Sequence, residues 1–147
     1  DLHPQFTIDP DAEKMKIPVL TLHTFVENVF KHGCPESSPM EIRITAMPEK
    51  REEQTYLSLI IEDNGLGFSE ETLKKLSIEE PPSQKTGEKH IGIRNVKQRL
   101  SYIYGNHYTL IFENRPEGGA RIRLLLPQMH TAHPPALSGT SHTQKGV

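Results

Sequence analysis

Three short segments hold residue types that could do chemistry together. In residues 24–33 (TFVENVFKHG), Thr24, Glu27, Asn28, Lys31 and His32 recur at helical spacing. An asparagine offers a hard amide oxygen to magnesium. A lysine one turn further on offers a point charge to a phosphate that the metal bridges. The solvated face of any amphipathic helix would show the same spacing. Residues 60–68 (IIEDNGLGF) end a strand in Asp63 and then turn on Gly65 and Gly67. A carboxylate held partly away from water can accept from the amino group of adenine, and the glycines let the chain bend away from a flat base. Asn-Gly is equally a common turn dipeptide. In residues 89–105 (KHIGIRNVKQRLSYIYG), Gly92 stands where a loop becomes a helix. Backbone N–H groups at a helix start hold phosphate, and a missing Cβ permits close approach. The plain alternative is an ordinary loop-to-helix junction. Arg94 and Lys97 are phosphate partners or solvated charges, and Arg99 is expected in a structural ion pair.

These side chains need elements to position them. Leu22, Phe25, Val26, Val29 and Phe30 form an apolar stripe about half a turn from the polar face. A helix is therefore expected from Leu22, with Pro18 at its first turn and Gly33 as its stop. Residues 40–47 alternate, with Met40, Ile42, Ile44 and Ala46 on one face. Residues 48–54 read as a charged loop and residues 56–62 as a central strand, apolar on both faces near its end. The two strands pair as a hairpin with a long loop. Ser69 caps a short helix to about Leu76, with Glu70 and Glu71 in its first turn. Residues 77–89, containing Pro81, Pro82 and Gly87, read as a mobile loop. Ile93, Val96, Leu100 and Ile103 give the next helix its core stripe, and Gly105 ends it. Residues 108–113 and 120–126 are two more strands around a turn. Ahead of all this, residues 1–16 are polar, with an extended patch at 5–8. Antiparallel pairs with helices between them predict one sheet covered by helices on one face.

The 147 residues suffice for one domain with its own core, expected over residues 1–127, with a disordered tail over 128–147. A net charge of −2 argues against a generic nucleic-acid binder. One cysteine, Cys34, excludes an intrachain disulfide and fits a reducing compartment. No apolar run is long enough to span a bilayer, and no signal peptide is visible. Asp1 opens the chain without a methionine, so a piece of something longer is expected, with any membrane anchor elsewhere.

Taken in order, the three segments resemble a known set. VENVFKHG resembles the N box of the gyrase, histidine kinase and MutL ATPase superfamily, DNGLGF its first glycine box, and HIGIRNVKQRLSYIYG its second. The group most resembled is the LytS/YesM type of bacterial sensor histidine kinase, over roughly residues 5–127. The resemblance implies an α+β, two-layer sandwich of the Bergerat type with a mixed, mostly antiparallel sheet. It implies ATP and Mg2+ as ligands. Asn28 then matches the magnesium-binding asparagine and Glu27 the acid that positions metal-bound water. Lys31 matches the lysine that reaches the phosphates, and His32 a residue flanking the nucleotide. Asp63 matches the adenine-reading aspartate, with Gly65, Gly67 and Phe68 around the base. Ile91, Gly92 and Ile93 match the backbone around the phosphates, and residues 68–89 the ATP lid.

Two positions depart from that pattern. His90 replaces the first glycine of the second box, and Ala120 replaces a threonine that supports the aspartate. The family's nucleophile is a histidine on a separate upstream hairpin. His3-Pro4-Gln5-Phe6 has the wrong order for it. The expectation is therefore an ATP-binding catalytic fragment that does not autophosphorylate alone. Its partners would be its own upstream dimerisation and phosphoacceptor domain in a homodimer, and a response regulator. It would contact neither nucleic acid nor membrane directly, and would lie in the cytoplasm beneath an inner-membrane anchor. One rival is a degenerate module that keeps the fold to bind a partner. Another is a hydrolysing ATPase, but that type carries a glutamate one turn before the metal asparagine, where this chain has Thr24.

Overall fold

The computed structural model describes residues 2–32, 38–78 and 91–128. Five strands form one sheet: β1 (Leu2–Ile8), β2 (Met40–Arg51), β3 (Gln54–Asp63), β4 (Thr109–Asn114) and β5 (Ala120–Pro127). Their spatial order is β1-β2-β3-β5-β4. Only β1 and β2 run parallel; the other neighbours are antiparallel. The helices are α1 (Thr21–His32), α2 (Glu70–Ser77) and α3 (Ile91–Tyr104), preceded by a 3-10 turn at Ala12–Lys14. This is the mixed, mostly antiparallel α+β sandwich read from the sequence.

Strand alternation decides which face the helices cover. Met40, Ile42 and Ile44 of β2, Leu57, Leu59 and Ile61 of β3, and Ile122, Leu124 and Leu126 of β5 are buried. Register places Ile44 beside Ile61, and Ile61 beside Ile122, so they form rows on one face. Phe25 and Val29 of α1 and Val96 and Leu100 of α3 complete the same core. Each such side chain stabilises the fold by about 1.5–3 kcal/mol through burial. The opposite face is polar: Arg121 pairs with Glu62 at 2.6 Å and with Glu113 at 3.5 Å. Ion-pair partners on that face raise the pKa of the Arg121 guanidinium, with the Glu62 hydrogen bond as the main cause.

Several local expectations change. Residues 48–54 are not a loop: β2 runs to Arg51 and β3 starts at Gln54, leaving a two-residue turn whose Glu52 has φ +52°. Pro48 is tolerated there because β2 has by then outrun β1, whose pairing stops at Ala46, and is an edge. Pro18 lies before α1, where its carbonyl accepts from the Thr21 N–H at 3.3 Å. The buried line of α1 is Thr21, Phe25 and Val29, while Phe30 stays 41% exposed on the flank. In α3, Ile103 is exposed and Tyr104 packs on the core instead. Burial raises the pKa of the Tyr104 phenol.

Other boundaries stand as read. Ser69 caps α2 by accepting from the Thr72 N–H at 3.1 Å. Gly105 ends α3 with φ +61°. Gln128, the first residue expected in the tail, is tied to the domain. Its backbone N–H donates to the Thr55 carbonyl at 2.8 Å, and its side chain accepts from the Lys16 N–H at 2.8 Å. The expected stop at Gly33, most of the lid, His90 and the remaining tail lie outside the described residues. Among the described residues no helix is long and apolar enough to cross a membrane.

Candidate nucleotide site

The central strand β3 delivers Asp63 to the end of the sheet. Its side chain is 3% exposed, yet it carries a carboxylate. The Gly65 N–H donates to Oδ1 at 2.8 Å and the Ala120 N–H donates to the same oxygen at 3.1 Å. No described residue donates to Oδ2. A buried carboxylate with one oxygen satisfied by the protein has the other to offer to a ligand donor.

The turn that follows is held rather than loose. Asn64 extends the sheet with its side chain: the Glu41 N–H donates to its Oδ1 at 2.9 Å, and its amide donates to the Pro39 carbonyl at 3.1 Å. Gly67 has φ +75°, and a Cβ there would lie 2.7 Å from Asn114 Oδ1. Asn114 accepts from the Phe68 N–H at 2.7 Å and donates to the Phe68 carbonyl at 2.8 Å. Phe68 packs edge-on against Phe112, ring centres 5.9 Å apart, and Phe112 packs on Phe25 of α1 at 6.2 Å. This aromatic chain fixes the glycine turn relative to the helix that carries Asn28.

On α1, Asn28 is half-buried, one turn after Thr24. Its amide makes no hydrogen bond to a described residue. Glu27 and Lys31 are exposed and pair with each other at 2.6 Å. That hydrogen bond is the main cause of the lowered pKa of Glu27, with the Lys31 charge second. The start of α3 sits against this helix: a Cβ at Gly92 would lie 3.1 Å from the Thr24 methyl. The glycine therefore has a packing reason as well as the phosphate reason read from the sequence. Gly92 and the exposed Ile91 open α3, while Ile93 is buried in the core. Among the described residues no three His, Cys, Asp or Glu side chains gather as a metal cage. A single asparagine oxygen suits Mg2+, which takes few protein ligands and completes its shell from phosphate and water.

Some assignments shift. Arg99 makes no ion pair with a described residue; it donates to the Val19 carbonyl. Lys97 is not a free solvated charge: it donates to the Leu76 carbonyl at the end of α2 and lies 5.7 Å from the Phe112 ring centre. Ala120 lacks a hydroxyl but supplies its backbone N–H to Asp63, so the aspartate does not depend on a side chain there. The side-chain role expected of His32 lies outside the described structure. Asn64, Asn114 and Arg115 were not singled out by sequence reasoning, and Gly119 only as the glycine before Ala120. A Cβ at Gly119 would lie 2.0 Å from the Asp63 carbonyl oxygen. The Gly-Gly pair before a strand was the only available signal.

Residues 17–130 match the family described as histidine kinase-, DNA gyrase B-, and HSP90-like ATPase. The sensor histidine kinase YesM of Bacillus subtilis is 32% identical over 84% of this chain and 19% of its own length. The sensor protein LytS of Bacillus anthracis is 26% identical over 82% of this chain and 20% of its own length. The chain thus spans about a fifth of the length of these relatives. The histidine kinase domain of the blue-light activated kinase of Erythrobacter litoralis superposes with a TM-score of 0.58 at 17% identity, covering 86% of this chain and 52% of that one. The ordered N-box, glycine-turn and α3 segments, on this sheet and with these relatives, place the chain in the histidine kinase-, DNA gyrase B- and HSP90-like ATPase family, as an ATP-binding domain of the sensor histidine kinase type.

Proposed function

We propose that this domain holds ATP with Mg2+ and presents the γ-phosphoryl group to a histidine on a separate dimerisation and phosphoacceptor domain. Asp63 carries this reading. It is buried, fixed through Oδ1, and has Oδ2 available to accept from the adenine amino group. Gly65, Gly67 and Phe68 shape the base side of the pocket. Asn28 would hold the metal and Glu27 would orient its water. Bound magnesium neutralises phosphate charge. Lys31 can exchange its exposed contact with Glu27 for a phosphate oxygen. The first N–H groups of α3, at Ile91, Gly92 and Ile93, add the partial positive charge of a helix start. Phosphoryl transfer needs positioning and charge neutralisation more than covalent chemistry from the protein. Thr24 offers no base for water, and its methyl is engaged with Gly92, so transfer to a protein side chain is favoured over hydrolysis.

The wider setting follows from the same reading. The full-length protein would be a homodimer passing the phosphoryl group to a response regulator, with this domain in the cytoplasm below a membrane anchor. The rival reading as a degenerate interaction module leans on Ala120 and His90; the Ala120 N–H bond to Asp63 weakens the first support, and His90 lies outside the described residues.

Melting the chain with and without Mg-ATP tests the binding claim. A native-state ligand at a hundred times its Kd adds about 2.7 kcal/mol and must raise the melting temperature. An unchanged temperature at millimolar Mg-ATP contradicts the proposal. With labelled ATP the chain alone should form no stable phosphohistidine, whereas a supplied phosphoacceptor domain should be labelled.

A further inference from the structure

Arg115 stands on the turn between β4 and β5, yet its side chain is only 14% exposed. Its guanidinium lies beside Glu62, on the sheet face away from the helices. Nη1 donates to the Asp63 carbonyl at 2.7 Å and Nη2 meets Glu117 at 2.8 Å. Nε lies 3.8 Å from Glu62. The Arg115 hydrogen bond is also the main cause of the lowered pKa of Glu117. The turn is closed on itself, since the Arg115 N–H donates to the Gly119 carbonyl at 2.9 Å and the Gly118 N–H donates to the Arg115 carbonyl at 3.1 Å.

The position of Asp63 explains why such a brace is needed. Pairing of β3 with β5 ends at Glu62 opposite Arg121. The Asp63 carbonyl lies one residue past that last rung, and a half-buried carbonyl still needs a donor. Arg115 supplies it. The same turn supplies the Ala120 N–H to Oδ1 and seats Gly119 against the Asp63 carbonyl. Main chain and side chain of Asp63 are therefore fixed from one seven-residue stretch, 114–120. A planar fork that donates to a carbonyl and a carboxylate at once, with a second carboxylate 3.8 Å from its Nε, is not reproduced by lysine.

We propose that Arg115 is a positioning residue of the nucleotide site, holding the Asp63 main chain from the far face of the sheet so that Oδ2 stays aimed at the base. The inference rests on Asp63 reading adenine. Its effect should be specific to the base amino group rather than shared by every nucleotide.

Calorimetric titration of ATP and inosine triphosphate, both with magnesium, into the 147-residue chain tests this. Inosine triphosphate carries a carbonyl where ATP carries the amino group, so it sets an acceptor against Asp63 where ATP sets a donor, and its remaining ring N–H, at N1, is displaced from that position. The unaltered chain should prefer ATP by at least about a hundredfold, since an analogue that lacks the donor leaves the buried acceptor unpaired. Arg115→Ala should weaken ATP by about tenfold and leave inosine triphosphate unchanged, the loss expected for a hydrogen bond to a charged group. Arg115→Lys should fall between. Equal losses for both nucleotides, or an unchanged preference, would overturn the proposal by reducing Arg115 to a fold-supporting residue. Should Arg115→Ala not fold, Arg115→Lys decides by the same comparison. Asp63→Asn separates the two layers. If it abolishes the preference while the Arg115 variants keep theirs, only the positioning role falls. If Asp63→Asn itself keeps the preference, the adenine reading fails and the positioning role with it.

Discussion

At the proposed adenine end of the site, Asp63 and the turn after it are held by hydrogen bonds from β2, β4 and β5; at the proposed phosphate end, Glu27 and Lys31 form, among the described residues, an ion pair with each other. Asp63 is 3% exposed, whereas the side chains of Lys31 and Glu27 are 62% and 47% exposed. The proposed base pocket is thus built into the sheet, where protein hydrogen bonds already hold Asp63. The phosphate end consists of side chains on one helix face and the opening turn of another, both near solvent. Preorganisation lowers the ordering cost of binding. On the proposed reading it is concentrated where the ligand is a rigid flat ring, and it is relaxed where phosphates, metal and a transferring group would rearrange.

Substitutions can break that contrast one end at a time. The largest effect is expected at the rigid end. Gly119→Ala places a Cβ 2.0 Å from the Asp63 carbonyl at a φ of +89°. Overlap with backbone and left-handed strain together should cost about 3 kcal/mol or more. Thermal unfolding should show a melting temperature lower by about 10 °C or more; a shift of a degree or two would mean that the turn is looser than described.

At the soft end the fold should be spared and ligand binding should not. Asn28→Ala should melt near the parent temperature but lose its response to magnesium, weakening nucleotide binding by at least about tenfold, a loss seen even for groups that only support a metal ligand. Titrations with magnesium and with chelator check this, and a preserved magnesium dependence would remove the metal role from Asn28. Lys31→Ala should lower ATP affinity by about fivefold at low salt, less at high salt, with stability changed by under about 1 kcal/mol because its ion pair is exposed. The smallest effect is expected from Ala120→Thr. With the backbone N–H already on Asp63, an added hydroxyl should tighten ATP by no more than about threefold. A larger gain would show that the adenine end is less complete than its hydrogen bonds suggest.

The sequence carried the two faces of the sheet and the identity of the central strand because alternation and burial follow the same period. Met40, Ile42 and Ile44 are buried as read, and Ser69 caps α2 as read. The parallel edge strand β1 was visible only as a short extended patch: Leu2, Phe6 and Ile8 alternate with His3, Gln5 and Thr7, but Pro4 interrupts the run and none of its residues is buried. The hairpin tip was misread because charge and a proline look like loop, while strands that outrun their neighbours can be polar on both faces. Asp63, Gly67 and Gly92 could be proposed for the site from the sequence because their residue types are restrictive. Asn114 and Arg115 could not. Both act on main-chain atoms more than forty residues away, and neither residue type nor local spacing encodes such a contact. For Arg99 the described partner is likewise a carbonyl, which no charge pattern reveals.

The account stands most directly on Asp63. Calorimetric titration of Mg-ATP into the unaltered chain and into Asp63→Asn measures it in one experiment. The account predicts saturable binding to the unaltered chain and a loss of about a hundredfold or more in the variant, at an unchanged magnesium dependence. Equal affinity for the two proteins would contradict it.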